Sequence, residues 1–69
     1  MYVVGFIGND STLGRTFVCR DDIEAKQAYT ILVDENKEKE WFFDFKYLNE
    51  YGVQNSATGS YFMGQLESP

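Results

Sequence analysis

The chain has a single cysteine, Cys19, so it cannot close a disulfide bond within itself. Its 69 residues must therefore be held together by one hydrophobic core, because a second core would leave too few residues for either. Aromatic side chains make up 17% of the chain and can supply that core, since each buries roughly 150–250 Å². We expect residues 1–69 to form a single domain with a frayed tail over about 64–69.

The hydropathy pattern favours a location inside the cell. Residues 1–7 lack the basic stretch that opens a secretory signal and are followed by the turn formers Gly8, Asn9 and Asp10. No apolar stretch approaches the roughly 18–20 residues that span a bilayer. Together with the unpaired Cys19, these patterns predict a cytoplasmic protein, in the host cytoplasm if its source is viral, with no membrane partner.

The first twenty residues predict a β-hairpin. Residues 2–7 are β-branched and aromatic, 8–14 are turn formers, and 15–20 resume an extended pattern. In the second strand Phe17 and Cys19 share one side, as alternate residues of a strand do. We expect Cys19 to point inward as a buried structural thiol.

A helix is predicted to follow the hairpin. Asp21 and, three residues later, Glu24 form the capping-box pattern that begins helices. At 100° per residue one apolar stripe forms, made by Ala25, Ala28, Tyr29 and Leu32. Asn36 is expected to end the helix in the left-handed conformation. Residues 29–33 are rich in strand formers, so a hairpin into the next segment is the competing interpretation, which the cap and the stripe outweigh.

The rest of the chain predicts further strands. Residues 41–47 alternate at the period of a strand, with one face formed by Trp41, Phe43, Phe45 and Tyr47, which we expect to fill the core under the helix. Residues 55–60 are small and polar and predict a loop, and 61–63 predict a short edge strand. The order β-β-α-β-(β) predicts an α+β fold, a small two-layer sandwich whose antiparallel sheet of three or four strands carries one helix on one face.

The chain offers little for catalysis. It contains no histidine, the commonest general acid or base at neutral pH, and Cys19 therefore has no histidine to activate it. Residues 34–38 resemble the start of a calcium loop, but Lys39 stands where the sharp turn requires glycine. The sequence predicts a protein that is not an enzyme and has no catalytic, metal or cofactor site.

Negative charge is concentrated in one part of the chain. The net charge is −5, and residues 21–40 contribute −4 of it through seven acidic residues and three lysines. This acidic set comprises Asp21, Asp22, Glu24, Asp34, Glu35, Glu38 and Glu40. A solvated helix and connector would account for it, but the same residues predict a surface that attracts a basic protein and disfavours direct contact with nucleic acid.

Aromatic residues in excess of the core form a second candidate surface. If the predicted 41–47 strand fills the core, then Phe42, Tyr51 and Phe62 must find other cover. Exposed aromatic side chains are typical of protein interfaces, and a homodimer would also cover them.

These patterns favour a small acidic protein-binding module. Within that class the expectation is an inhibitor of the kind that bacteriophages and other mobile elements direct at host nucleic-acid enzymes, acting through the acidic set on a basic protein surface. One alternative is a single-stranded nucleic-acid-binding accessory protein that uses the sheet aromatics, with Arg15, Arg20 and Lys46 contacting phosphates. Another is a structural protein that self-associates through an uncovered sheet face.

Overall fold

The computed structural model describes residues 1–38 and 43–66, which form one sheet and two helices. In chain order the elements are β1 (Tyr2–Gly8), β2 (Leu13–Cys19), α1 (Asp22–Glu35), α2 (Phe45–Tyr51), β3 (Val53–Asn55) and β4 (Gly59–Gln65). The sheet is antiparallel throughout, in the order β2-β1-β4-β3, and both helices pack on the same side of it. The predicted α+β fold, an antiparallel sheet with a helix on one face, is confirmed.

The predicted hairpin is formed by β1 and β2. Tyr2 pairs with Cys19 and Val4 with Phe17, which turns these four side chains toward the helices. The connecting loop is held by Asp10, whose Oδ1 accepts a 3.0 Å hydrogen bond from the Thr12 backbone N–H. Cys19 is buried, as predicted.

Helix α1 begins as its sequence indicates. The Asp21 side chain accepts a 2.9 Å hydrogen bond from the Glu24 backbone N–H, and Glu24 Oε1 accepts one of 2.9 Å from the backbone N–H of Arg20. The buried side of the helix consists of Ala25, Ala28, Tyr29, Leu32 and Val33. Residues 29–33 are therefore helical, and the competing hairpin is not formed.

The predicted end of α1 is wrong in its conformation. Asn36 caps the helix but has φ −86°, and it is the next residue, Lys37, that has a positive φ of 54°. The Asn36 side chain accounts for this difference. Its Nδ2 donates a 2.8 Å hydrogen bond to the Leu32 carbonyl while the Asn36 backbone keeps a negative φ.

The predicted strand over 41–47 is also wrong where the structure describes it. Asp44 Oδ1 accepts a 3.0 Å hydrogen bond from the Lys46 backbone N–H and caps α2, which ends at Gly52 with a left-handed φ of 80°. The two caps favour a helix over the alternating pattern, because they satisfy backbone groups that a short helix leaves free. Of the four aromatic residues expected in the core, two are half-buried against it (Phe43, Phe45), one is exposed (Tyr47), and Trp41 lies outside the described residues.

The last strand occupies a different place from the one predicted. β4 is not an edge strand: it pairs with β1 along its whole length, from Gly59 opposite Gly8 to Gln65 opposite Tyr2, and with β3 on its other side. β4 extends to Gln65, and the Leu66 backbone N–H donates a 2.7 Å hydrogen bond to the Met1 carbonyl.

One core lies between the sheet and the helices. It consists of Val4, Phe6, Cys19, Ala25, Ala28, Tyr29, Leu32, Val33, Leu48, Tyr61 and Met63. Tyr61 is at its centre, with its ring centroid 4.8 Å from that of Phe6, 5.6 Å from Tyr29 and 5.3 Å from Phe43. The Tyr29 hydroxyl donates to Gln54 Oε1 and ties α1 to β3.

The opposite side of the sheet is its outer face. Cross-strand pairing assigns to it Val3, Gly5, Ile7, Leu13, Thr16, Val18, Val53, Asn55, Ser60, Phe62 and Gly64. At its centre the far end of the Phe62 ring occupies the space above Gly5, where a Cβ would lie 2.3 Å from Phe62 Cζ. None of these residues is ionisable, and no element within the described ranges covers them.

Candidate functional site

The acidic residues at the start of α1 mostly serve the helix itself. Asp21 is the N-cap, and Glu24 forms an ion pair with the Arg20 guanidinium at 3.3 Å. Asp22 is exposed and has no hydrogen bond or ion pair within the described residues. Acidic side chains at this end also interact favourably with the positive end of the helix dipole. Helix stability alone therefore accounts for this group.

The acidic residues at the end of α1 are placed differently. Asp34 and Glu35 lie in the last turn of the helix, which contains no basic residue. Glu35 forms an ion pair with Arg15 of β2, and Glu38 accepts a hydrogen bond from the Thr58 hydroxyl. Asp34 is exposed and makes no ion pair in the part of the chain that the structure describes. We call Asp34, Glu35 and Glu38 the acidic end of α1.

The predicted acidic set is thus divided into two groups. Asp22 and Asp34 are twelve residues apart on the helix, which corresponds to about 18 Å along its axis at the usual rise of 1.5 Å per residue. Both groups lie on the helix side of the sheet, and Glu40 lies outside the described residues.

The predicted aromatic residues do not form one surface either. Tyr51 is 62% exposed on α2, where its ring centroid lies 4.6 Å from that of Tyr47. Phe62 lies on the outer face above Gly5, and Phe42 lies outside the described residues. Tyr47 was expected in the core because the predicted strand placed its side chain there, but it is exposed.

The apolar content of the outer face was not predicted from the sequence. Leu13 is 64% exposed and Val18 is 65% exposed, and Ile7 and Val53 are exposed as well. The alternation of Val18 with the inward-facing Phe17 and Cys19 was visible in the sequence. Only the sheet order shows that such positions on four strands join into one surface.

The titratable groups of the core are held in their neutral forms. Burial, followed by the negative charges of Glu24 and Asp21, raises the pKa of the Cys19 thiol, so the reactive thiolate is disfavoured. Burial is also the main cause that raises the pKa of Tyr61 to about 12 and that of Tyr29 further. The nearby Asn36 amide acts in the opposite direction and lowers the pKa of Tyr61. Its Nδ2 donates to the Leu32 carbonyl, however. The buried Tyr61 hydroxyl has no hydrogen-bond partner within the described residues.

Three negative findings complete the description. Among residues 1–38 and 43–66, no group of three or more Cys, Asp and Glu side chains is arranged to hold a metal ion. Neither α1 nor α2 has the length and apolar character of a membrane-crossing helix. No protein family matches the chain, and no curated protein or solved structure is significantly similar to it.

Proposed function

We propose that this chain is a non-enzymatic protein-binding module that docks the acidic end of α1 on a basic surface of another protein. Within that class we favour an inhibitor of the kind that bacteriophages and other mobile elements direct at host nucleic-acid enzymes. The observation that carries the proposal is the presence of Asp34 and Glu35 in a last helical turn that holds no basic residue.

This placement opposes the stability of the helix. The unpaired negative charge of Asp34 at the carboxyl end of the helix meets the negative end of the dipole, which costs about 0.3–1 kcal/mol for an exposed side chain. Proteins retain such locally unfavourable choices mainly at functional sites. Asp34 is exposed and makes no ion pair within the described residues, so its carboxylate is available to the arginine and lysine side chains that otherwise bind phosphate groups. This is the chemistry an inhibitor of a nucleic-acid enzyme needs.

The test compares Asp34→Lys with the wild-type chain, each immobilised and exposed to lysate of the relevant cell at increasing salt, with bound proteins identified by mass spectrometry. We expect a basic partner that the wild type releases at high salt and that Asp34→Lys retains at least about tenfold more weakly. The same substitution should leave the melting temperature unchanged or raise it, because lysine suits this end of the helix. The melting temperature thereby distinguishes a variant that binds weakly because it is unfolded from one that binds weakly because it lacks the Asp34 carboxylate.

The matched control is Glu50→Lys, an equal change of charge at an exposed position of α2. It should retain the partner almost as well as the wild type. Equal retention by Asp34→Lys and the wild type would contradict the proposal. An equal loss in both variants would show that net charge, and not the acidic end of α1, determines binding.

The nucleic-acid-binding alternative receives less support from the geometry. Two of its three candidate phosphate contacts, Arg15 and Arg20, are already paired with Glu35 and Glu24. Phe62 lies on the outer face, and none of the outer-face residues in the described strands is cationic. Base-stacking platforms, in contrast, lie in positively charged grooves. Titration with a labelled single-stranded oligonucleotide at low salt tests this alternative, and we expect no binding below about 10⁻⁴ M protein.

A further inference from the structure

We propose that the outer face of the sheet binds a second copy of this chain, so that two sheets pack face to face in a symmetric dimer. The face is continuous across all four strands, and its exposed residues include Leu13, Val18, Ile7 and Val53. Removing apolar surface from water has a favourable free energy, which would stabilise an association through this face. Contiguous apolar patches of several hundred Å² on a small protein mark interaction sites.

The distribution of charge selects the partner. None of the outer-face residues is ionisable, so a basic protein finds no carboxylate to pair with there. A second copy of the chain presents an equally uncharged face and is self-complementary, as a two-fold interface requires. In a dimer of this kind the apolar side chains of the two faces meet, with Thr16, Asn55 and Ser60 as the polar residues among them, and no charge is buried without a partner.

The same arrangement keeps the two negative chains from repelling each other. Each chain has a net charge of −5, and the acidic residues of α1 lie on the helix side of its sheet. Packed sheets lie about 10 Å apart, with the two helix layers on the outer sides of the pair. The acidic ends of α1 in the two copies are then separated by both sheets, which is beyond the screening length of about 8 Å at physiological ionic strength.

The size of the face predicts a weak dimer. Three strands of seven residues and one of three cover a footprint of about 400 Å² at the usual strand spacing and rise. Stable interfaces of standard size bury about 800 Å² on each partner, so this one is about half that size and belongs with weak, transient contacts. We therefore expect a reversible monomer–dimer equilibrium, measurable at protein concentrations of about 10 μM to 1 mM.

Sedimentation equilibrium of the purified chain tests the proposal without any other partner. We expect the average mass to rise with concentration toward twice that of the monomer, and the association to hold or strengthen as salt is raised. Val18→Lys should weaken it at least about tenfold, because the dimer would then bury a charge without a partner in an uncharged face. The matched control is Ile23→Lys on α1, since Ile23 is 67% exposed and Val18 is 65% exposed, and it should dimerise like the wild type.

Three results would overturn the dimer. The first is a monomer at every concentration, the second is a dimer that Val18→Lys leaves intact, and the third is a dimer that Ile23→Lys disrupts. If Val18→Lys fails to fold, methyl NMR shifts of the wild type replace it, with Val18 and Leu13 moving as concentration rises and Ile23 remaining constant. Because this association should resist salt and the proposed partner binding should not, either proposal can fail without the other.

Discussion

Replacing Tyr61 by phenylalanine should stabilise the protein, although Tyr61 is at the centre of its core. The Tyr61 hydroxyl is fully buried and has no hydrogen-bond partner within the described residues. A buried polar group without a partner costs about 1–3 kcal/mol in desolvation. Tyr61→Phe removes that cost and keeps the ring and its aromatic neighbours. Because it also leaves a small void, we expect a net gain near the lower limit, about 1 kcal/mol.

The matched control is Tyr29→Phe, since Tyr29 is equally part of the core but its hydroxyl donates to Gln54. Loss of that hydrogen bond should lower the free energy of unfolding by about 1 kcal/mol. Urea denaturation followed by circular dichroism measures both variants, and the slope m should stay unchanged. In thermal melts, 1 kcal/mol corresponds to about 4–8 °C for a domain of this size.

A loss of 1 kcal/mol or more in Tyr61→Phe would refute this reasoning. It would mean that the hydroxyl is hydrogen-bonded in the folded chain, and the nearby Asn36 amide would be the first partner to examine. An unchanged Tyr29→Phe would likewise contradict the assigned bond to Gln54. The two substitutions remove the same atom from the same core, so a difference between them isolates the hydrogen bond.

The remaining predictions concern pH, packing and reactivity. Because Tyr61 and Tyr29 have raised pKa values, the unfolded chain releases these protons first. The contribution of these two residues to stability should be constant below about pH 10 and be lost between about pH 10 and 12 as measured by urea unfolding, and the loss should be smaller in Tyr61→Phe. Gly5→Ala should cost about 1 kcal/mol, because its Cβ would lie 2.3 Å from Phe62 Cζ and must displace the end of that ring. At Gly64 the nearest atom would lie 3.6 Å away, and alanine should change stability by less than about 0.5 kcal/mol. Cys19 should react with a thiol reagent much more slowly in the folded chain than in the urea-unfolded chain, and equal rates would contradict its burial.

The sequence was most informative where structure depends on neighbours in the chain. Asp21 and Glu24 identify the start of α1, and the spacing of Ala25 and Leu32 identifies its buried side. These signals depend on backbone groups and side chains within one or two helical turns. They were correct although 29–33 contains strand-forming residues, because the cap and the sheet contact stabilise the helix more than those propensities oppose it.

The segment before β3 shows how a local pattern can mislead. The aromatic residues at every second position fit a strand, but Phe45 and Leu48 are also three residues apart and share one side of a helix. The information that decides between the two was present in Asp44 and Gly52, which stand at the two ends of α2 as its caps. An alternation of large side chains outweighed two capping residues in the prediction, and the prediction was wrong.

The candidate surfaces depend on contacts between distant parts of the chain, and the sequence could not supply these. The density of acidic residues in 21–40 was visible, but the pairing of Glu35 with Arg15 brings together two elements twenty positions apart. Likewise, β4 was expected at an edge because nothing local indicates that it pairs with β1. The outer face follows from that pairing, since it joins strands from both ends of the chain.

The central position of β1 and β4 also governs when the fold can form. Gly8 and Gly59 are paired although 51 positions (59 − 8) separate them, and every other pair along these two strands is further apart. The entropy of closing so long a loop must be lost before the sheet gains its central ladder, so folding should be slow for a chain of this size. During synthesis the hairpin and α1 emerge first and lack Tyr61 and Met63, which complete the core. Until β4 leaves the ribosome, β1 has an open edge and an incomplete apolar layer, and this interval is when the nascent chain is most exposed to aggregation.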